Sequence, residues 1–187
     1  MIGALGTLLF FAVTPVFARR AAVLLGSLRA NFWRLLVATV LLGAWAVGGA
    51  DRALEITVQY SKDREQFDKP IGAFQALAHY MADASTVVEG AKVLVLEAAW
   101  AHTEGKSIAR LAPMAKLFGC KAFRDVTAMA QQVHGGIGFT LDYDIQLFYR
   151  RAKQLQMNWW DSRYLEELIA SEILDGSGRS IDDPFTV

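Results

Sequence analysis

Two long apolar stripes in succession constrain this chain more than anything else in it. Phe74, Leu77, Ala78, Met81, Ala84, Val88, Ala91, Val95 and Ala98 recur at gaps of three and four. Ile108, Leu111, Ala115, Phe118, Ala122, Val126, Met129 and Val133 then repeat the spacing. Residues at that period lie along one face of an α-helix, and an apolar face needs another to cover it. The first stripe is predicted to stop near His102–Gly105, and Pro113 suits the opening turns of the second helix. The short gap between them predicts an antiparallel pair.

The rest of the chain extends the pattern. Leu28 to Ser61 predicts one long helix, apolar all round in its first half and amphipathic in its second. The uncharged run 35–50 passes unbroken into Asp51-Arg52-Ala53-Leu54-Glu55, which favours a buried helix over a membrane span. Lys62 to Gln75 reads as a loop, because the residue before Pro70 is steered out of the α region and Gly72 adds freedom. A short helix is expected around Ile145–Lys153, then a bend at Trp159-Trp160-Asp161 with Asp161 or Ser162 as N-cap. A last helix is expected from Arg163 to Leu174, ended by Gly176. No strand pattern emerges. The fold class is therefore all-α, an antiparallel helical bundle over 27–176, with an apolar segment at 1–26 and a tail at 177–187.

Composition narrows the partners. The 53% hydrophobic content calls for a membrane segment or a face buried in an oligomer. Net charge is zero and no basic stripe or zinc spacing occurs, which excludes nucleic acid as a partner. The single cysteine, Cys120, rules out an internal disulfide, suits a reducing, cytoplasmic setting, and reads as a small core residue. Residues 2–18 carry no charge and are followed by Arg19-Arg20. This segment leaves two readings, a membrane anchor at the lower limit of length or a misplaced start of the reading frame. Membrane association enters only through it.

Chemistry concentrates in two loops and one bend. Gln132-Val133-His134-Gly135-Gly136-Ile137-Gly138 ends the third helix with three glycines, where one would suffice for a cap. Glycine allows positive φ and lets another molecule approach the backbone. Arg64-Glu65-Gln66-Phe67 offers a guanidinium, which can grip a phosphate through two parallel hydrogen bonds, and a flat ring. The bland alternatives are a surface arginine and a core-filling phenylalanine. GGIG is no dinucleotide fingerprint, since no strand precedes it. His134 has no ligand partner at helical spacing, so no metal site is expected. Trp159 and Trp160 read as packing residues.

Several motifs together resemble one family. Arg64–Phe67, Lys69-Pro70-Ile71-Gly72, Phe74-Gln75, Met81-Ala82-Asp83, Gln132–Thr140 and Arg150–Lys153 match, in order and spacing, the C-terminal helical domain of acyl-CoA dehydrogenases over roughly 35–175. The resemblance implies a four-helix bundle with short extra C-terminal helices, FAD as cofactor, an acyl-CoA substrate, and a homo- or hetero-oligomer, dimer or tetramer, assembled through the bundle. It implies that Arg64, Gln66 and Phe67 touch the adenosine-diphosphate part of one flavin, with Phe74 and Gln75 nearby. Gln132, Gly135 and Gly136 would reach a flavin from the partner chain.

Two departures from the family accompany the match. The N-terminal helical domain and the middle β-domain have no counterpart in these residues. The reaction also needs a carboxylate to take the α-proton while flavin takes the β-hydride. Where the family carries Glu-Gly-Thr, this chain reads Asn158-Trp159-Trp160-Asp161-Ser162, and 35–50 has no carboxylate either. Asp161 is the remaining candidate base, one carbon shorter than Glu and well placed as a helix cap. The expectation is a truncated chain or a non-catalytic subunit of an acyl-CoA dehydrogenase-type oxidoreductase. The alternative is a membrane-anchored or structural helical protein that kept the bundle and lost the chemistry.

Overall fold

The computed structural model describes residues 27–175. The apolar 2–18 stretch, the Gly176 stop and the 177–187 tail lie outside the described residues. Contacts divide the chain into two units, Met1–Ala38 and Thr39–Val187. In the first, the described residues form the opening turns of a helix. The second holds the bundle.

Helix α1 spans Ser27–Asp63, α2 Gln75–Thr103, α3 Leu111–His134, α4 Ile145–Met157 and α5 Ser162–Ala170. The first three agree with the predicted helices to within a few residues, because each carries a stripe long enough to set its own ends. Glu104 closes α2 and Gly105 follows at φ 69°. Two predicted boundaries shift. Helix α4 runs on to Met157, carried by the buried Leu155. The last α-helix is shorter than expected, giving way to a π-helical turn at Ser171–Asp175.

A correction concerns the 62–75 loop. It contains an antiparallel hairpin of two-residue strands, β1 Glu65–Gln66 and β2 Lys69–Pro70, pairing Glu65 with Pro70 and Gln66 with Lys69. Phe67 and Asp68 between them have φ of 55° and 60°. Positive φ at both loop residues gives the backbone twist that suits a two-residue hairpin. Strands this short show no alternation, and a phenylalanine at a left-handed position carries no turn signal.

The core gathers small residues from α1 around larger ones from the other helices. Ala46, Ala50 and Leu54 of α1 meet Ala84 and Val88 of α2, Cys120, Phe123 and Val126 of α3, and Ala152 and Leu155 of α4. Cys120 is buried as expected, its thiol directed at the Leu155 carbonyl at 3.6 Å. A Cβ on Gly43 would fall 3.0 Å from the Ala115 carbonyl oxygen, and one on Gly119 would fall 3.1 Å from that of Gly43. Such close backbones bring α1 and α3 side by side. Further along, Gly49 abuts the Phe123 ring and Tyr60 stacks on His134. The pairs advance together, so α1 and α3 run parallel and their C-terminal ends share one end of the bundle. Helices α2 and α4 run the other way, as the Lys92–Asp51 ion pair and the packing of Ile145 against Ala53 and Ala130 require.

The stretch Leu36–Asp63 of α1 is long and apolar enough to cross a membrane, and 44% of its most apolar window is buried within the protein. Ala46, Ala50 and Leu54 pack into the core against the other three helices of the cluster, while Leu41 and Trp45 stay exposed.

Candidate functional site

Helix α1 ends at Asp63 and the hairpin follows at once. The Arg64 amide donates to the Tyr60 carbonyl at 2.9 Å, and the Ile71 amide returns to the Arg64 carbonyl at 2.8 Å. Ile71 is buried, and Gly72 lies so close to Ser61 that a Cβ would fall 2.9 Å from its hydroxyl. The hairpin is thus fastened at both ends to the last turn of α1.

On this base the predicted residues are displayed rather than buried. Phe67 is 87% exposed, which excludes the core-filling reading. Its ring meets Phe74 edge-on at 6.3 Å. Phe74 precedes α2 in an extended conformation and carries the Lys69 ammonium 4.2 Å over its ring. Gln75 opens α2 and is exposed. The Arg64 guanidinium is exposed and makes no ion pair among the described residues. Gln66 folds back, donating its amide to the Glu65 carbonyl at 2.6 Å.

The glycine turn leaves the end of α3. Its three glycines answer to three different causes. Gly135 has φ 66° and ψ −142°, a conformation closed to side chains with a Cβ. Gly138 is buried, and a Cβ there would fall 3.1 Å from both the Gln131 carbonyl oxygen and the His134 Cβ. Gly136 has neither constraint: its φ lies outside the left-handed range and a Cβ would meet nothing within 4 Å. It is exposed, as is Gln132. The turn closes where the Thr140 hydroxyl donates to the Ile137 carbonyl at 2.8 Å.

One cluster joins the two loops. His134 is only 4% exposed and stacks on Tyr60, ring centres 4.3 Å apart and planes 17° from parallel. Tyr143 meets both rings edge-on, at 6.1 Å and 5.9 Å. His134 Nδ1 donates to the Ala130 carbonyl at 2.7 Å, which leaves Nε2 as a buried acceptor. Burial pushes the imidazole pKa below its ordinary 6.5, and the Ala130 hydrogen bond offsets only part of this. The structure therefore brings Arg64, Gln66, Phe67, Phe74 and Gln75 to the same end of the bundle as Gln132, Gly135 and Gly136.

Asp161 is elsewhere. Its carboxylate accepts from the Tyr164 amide at 2.9 Å and caps α5, as predicted. The bend before it is tied to Lys116, whose ammonium donates to the Trp160 carbonyl at 2.6 Å. Lys116 and His134 lie 18 residues apart on α3 (134 − 116), about 27 Å at 1.5 Å per residue, so Asp161 is remote from the glycine turn. Trp159 and Trp160 both have positive φ, 53° and 76°. Trp160 packs on Tyr164 at 5.4 Å, whereas Trp159 is 53% exposed, so only one of the pair packs as expected.

Sequence reasoning passed over Tyr60, Tyr143 and Lys116. Lys116 is fully buried and falls four residues from both Ala112 and Cys120 on the inward stripe of α3, a spacing that could have marked it. Burial lowers its pKa, against the pull of Cys120 and Asp161. The two tyrosines carry no local signal.

Residues 29–171 match the family described as acyl-CoA dehydrogenase, C-terminal domain. The chain is 43% identical over 115 residues to the acyl-CoA dehydrogenase IpdE2 of Mycolicibacterium smegmatis, covering 62% of this chain and 35% of that protein. It is 36% identical over 133 residues to the acryloyl-CoA reductase (NADH) of Anaerotignum propionicum, covering 71% of this chain and 34% of the relative. Among solved structures, butyryl-CoA dehydrogenase from Megasphaera elsdenii superposes with a TM-score of 0.77 at 31% identity, over 80% of this chain and 39% of that one. The chain thus spans about a third of the length of these relatives.

Proposed function

We propose, from the premise that this chain belongs to the acyl-CoA dehydrogenase family as its C-terminal helical domain, that its hairpin and glycine turn hold FAD in an oxidoreductase acting on acyl-CoA thioesters. Flavin, when bound, supplies the hydride acceptor for α,β-dehydrogenation. The observation that carries the reading is Gly136, which nothing among the described residues requires to be glycine. A bare, exposed backbone beside Gly135 suits close approach of a pyrophosphate.

The hairpin supplies the complementary chemistry. Arg64 offers a charged fork for phosphate, and the exposed Phe67 offers a ring face to adenine. In this proposal the turn serves a flavin held mainly by a partner chain, so the working unit is at least a dimer in the cytoplasm. Asp161 already caps α5, and its carboxylate is poorly placed to act as base. The chain's described residues then contribute cofactor binding and assembly, and the base is a residue other than Asp161. The names of the relatives, among them acryloyl-CoA reductase and butyryl-CoA dehydrogenase, support the thioester class.

The test is flavin retention, for the purified chain alone and co-expressed with a longer family member. Gly136→Val is expected to abolish retention while helical content stays at the wild-type level. Arg64→Ala is expected to weaken FAD roughly 10- to 100-fold, the worth of a charged hydrogen bond. A wild-type chain that takes up no FAD in either setting, or a Gly136→Val variant with unchanged affinity, refutes the reading.

A further inference from the structure

We propose that His134 is a positioning residue that couples the two loops, its stack on Tyr60 transmitting order from the glycine turn to the Arg64 hairpin. The inference rests on the reading that both loops face flavin, but its geometry is independent of that.

Tyr60 has two roles at once. Its ring covers His134 at 4.3 Å, and its carbonyl receives the first hydrogen bond of the hairpin, from the Arg64 amide. The hairpin's other attachments are the Ile71 amide to the Arg64 carbonyl, one residue past α1, and Gly72 against Ser61 in the last turn of α1. His134 is likewise the last residue of α3 and the one from which Gly135 departs. Its backbone sets the start of the turn and its ring rests on the base of the hairpin. Tyr143, from the segment after the turn, closes the cluster edge-on against both rings. A displacement of either loop's root must therefore disturb the stack, and the stack resists it.

A purely structural histidine would stabilise the whole bundle. A coupling one acts locally and through its ring plane. Hydrogen exchange of the cofactor-free chain separates these. His134→Ala is expected to speed exchange across 62–73 about five-fold, the scale of one aromatic pair, with α2 unchanged. His134→Phe keeps a stacking ring and is expected to stay within about two-fold of wild type. Tyr60→Leu approaches from the other side and is expected to speed exchange across 135–143, since coupling is reciprocal; it carries the test should His134→Ala fail to fold. Unchanged exchange in the distant loop overturns the proposal. So does an acceleration shared equally by α2, or a His134→Phe variant as fast as His134→Ala. In FAD titrations of the same proteins, His134→Ala is expected to bind about five-fold more weakly and His134→Phe near wild type. A wild-type chain that binds no FAD refutes the functional reading alone, and the exchange measurement still decides the coupling.

Discussion

Gly136→Ala should make the protein more stable. The added Cβ meets no atom within 4 Å, and the backbone there lies outside the left-handed region. With no steric cost, the remaining effect is on the unfolded chain, whose freedom shrinks when glycine becomes alanine. That is worth about 0.4–1 kcal/mol in favour of folding. For a chain of this size the gain is about 1–4 °C in Tm. The neighbours should behave oppositely. At Gly138 the Cβ would press to 3.1 Å on the Gln131 carbonyl oxygen and the His134 Cβ, atoms held by the end of α3. Overpacking of this kind costs roughly 1–3 kcal/mol, which outweighs the same entropic gain. At Gly135 the φ of 66° with ψ −142° penalises any Cβ by a similar 1–3 kcal/mol. Thermal unfolding of the three alanine variants without cofactor, followed by circular dichroism, checks the order: Gly136→Ala above wild type, the other two below. If Gly136→Ala loses as much stability as Gly138→Ala, the fold itself needs that glycine. The open backbone is then no sign of a cofactor.

Three further outcomes are expected. Phe123, 1% exposed and packed against the α1 backbone at Gly49, should cost about 3–5 kcal/mol when cut to alanine, read by urea unfolding. His134 has a folded-state pKa below 6.5, so between that value and 6.5 the unfolded chain holds more protons. Stability should fall as pH drops below about 6.5 until the folded imidazole titrates, and the fall should flatten in His134→Phe, compared by denaturation between pH 5 and 7.5. Lys116 has a folded-state pKa below 10.5, so the unfolded chain again holds more protons in the window between. Its contribution to stability should climb as pH rises through that window, seen as a wild-type-minus-Lys116→Met difference that grows toward pH 10.5.

The residues of the candidate site were legible as separate motifs, and their assembly was not. The Arg64–Phe67 segment and the Gln132–Gly136 segment each stood out for chemistry that a plain helix connection does not need. That they share one end of the bundle depends on α1 and α3 running parallel. The parallel course follows from the backbone approach at Gly43 and Gly119, which is a contact between distant parts of the chain. The role of Lys116 is illegible in the sequence for a related reason. A lysine on an apolar stripe looks like an interruption until the Trp160 carbonyl is found at 2.6 Å to accept its hydrogen bond.

By itself the amino-acid order determined the helices. Apolar spacing, Pro113, and the glycines after α2 and α3 act within a turn or two, and local periodicity is enough to commit such segments. It narrowed the cap of α5 to Asp161 or Ser162 for the same reason, since the partner that the structure gives Asp161 is the amide of Tyr164, three residues on. Only the tertiary structure decided the rest. It decided that Phe67 faces solvent, because two left-handed residues turn the hairpin back on itself. It decided which of the three glycines after His134 the chain needs for its own sake, because that depends on the atoms a Cβ would meet. It also set Tyr60 on His134, since a stacked pair exists only once the bundle has closed around it.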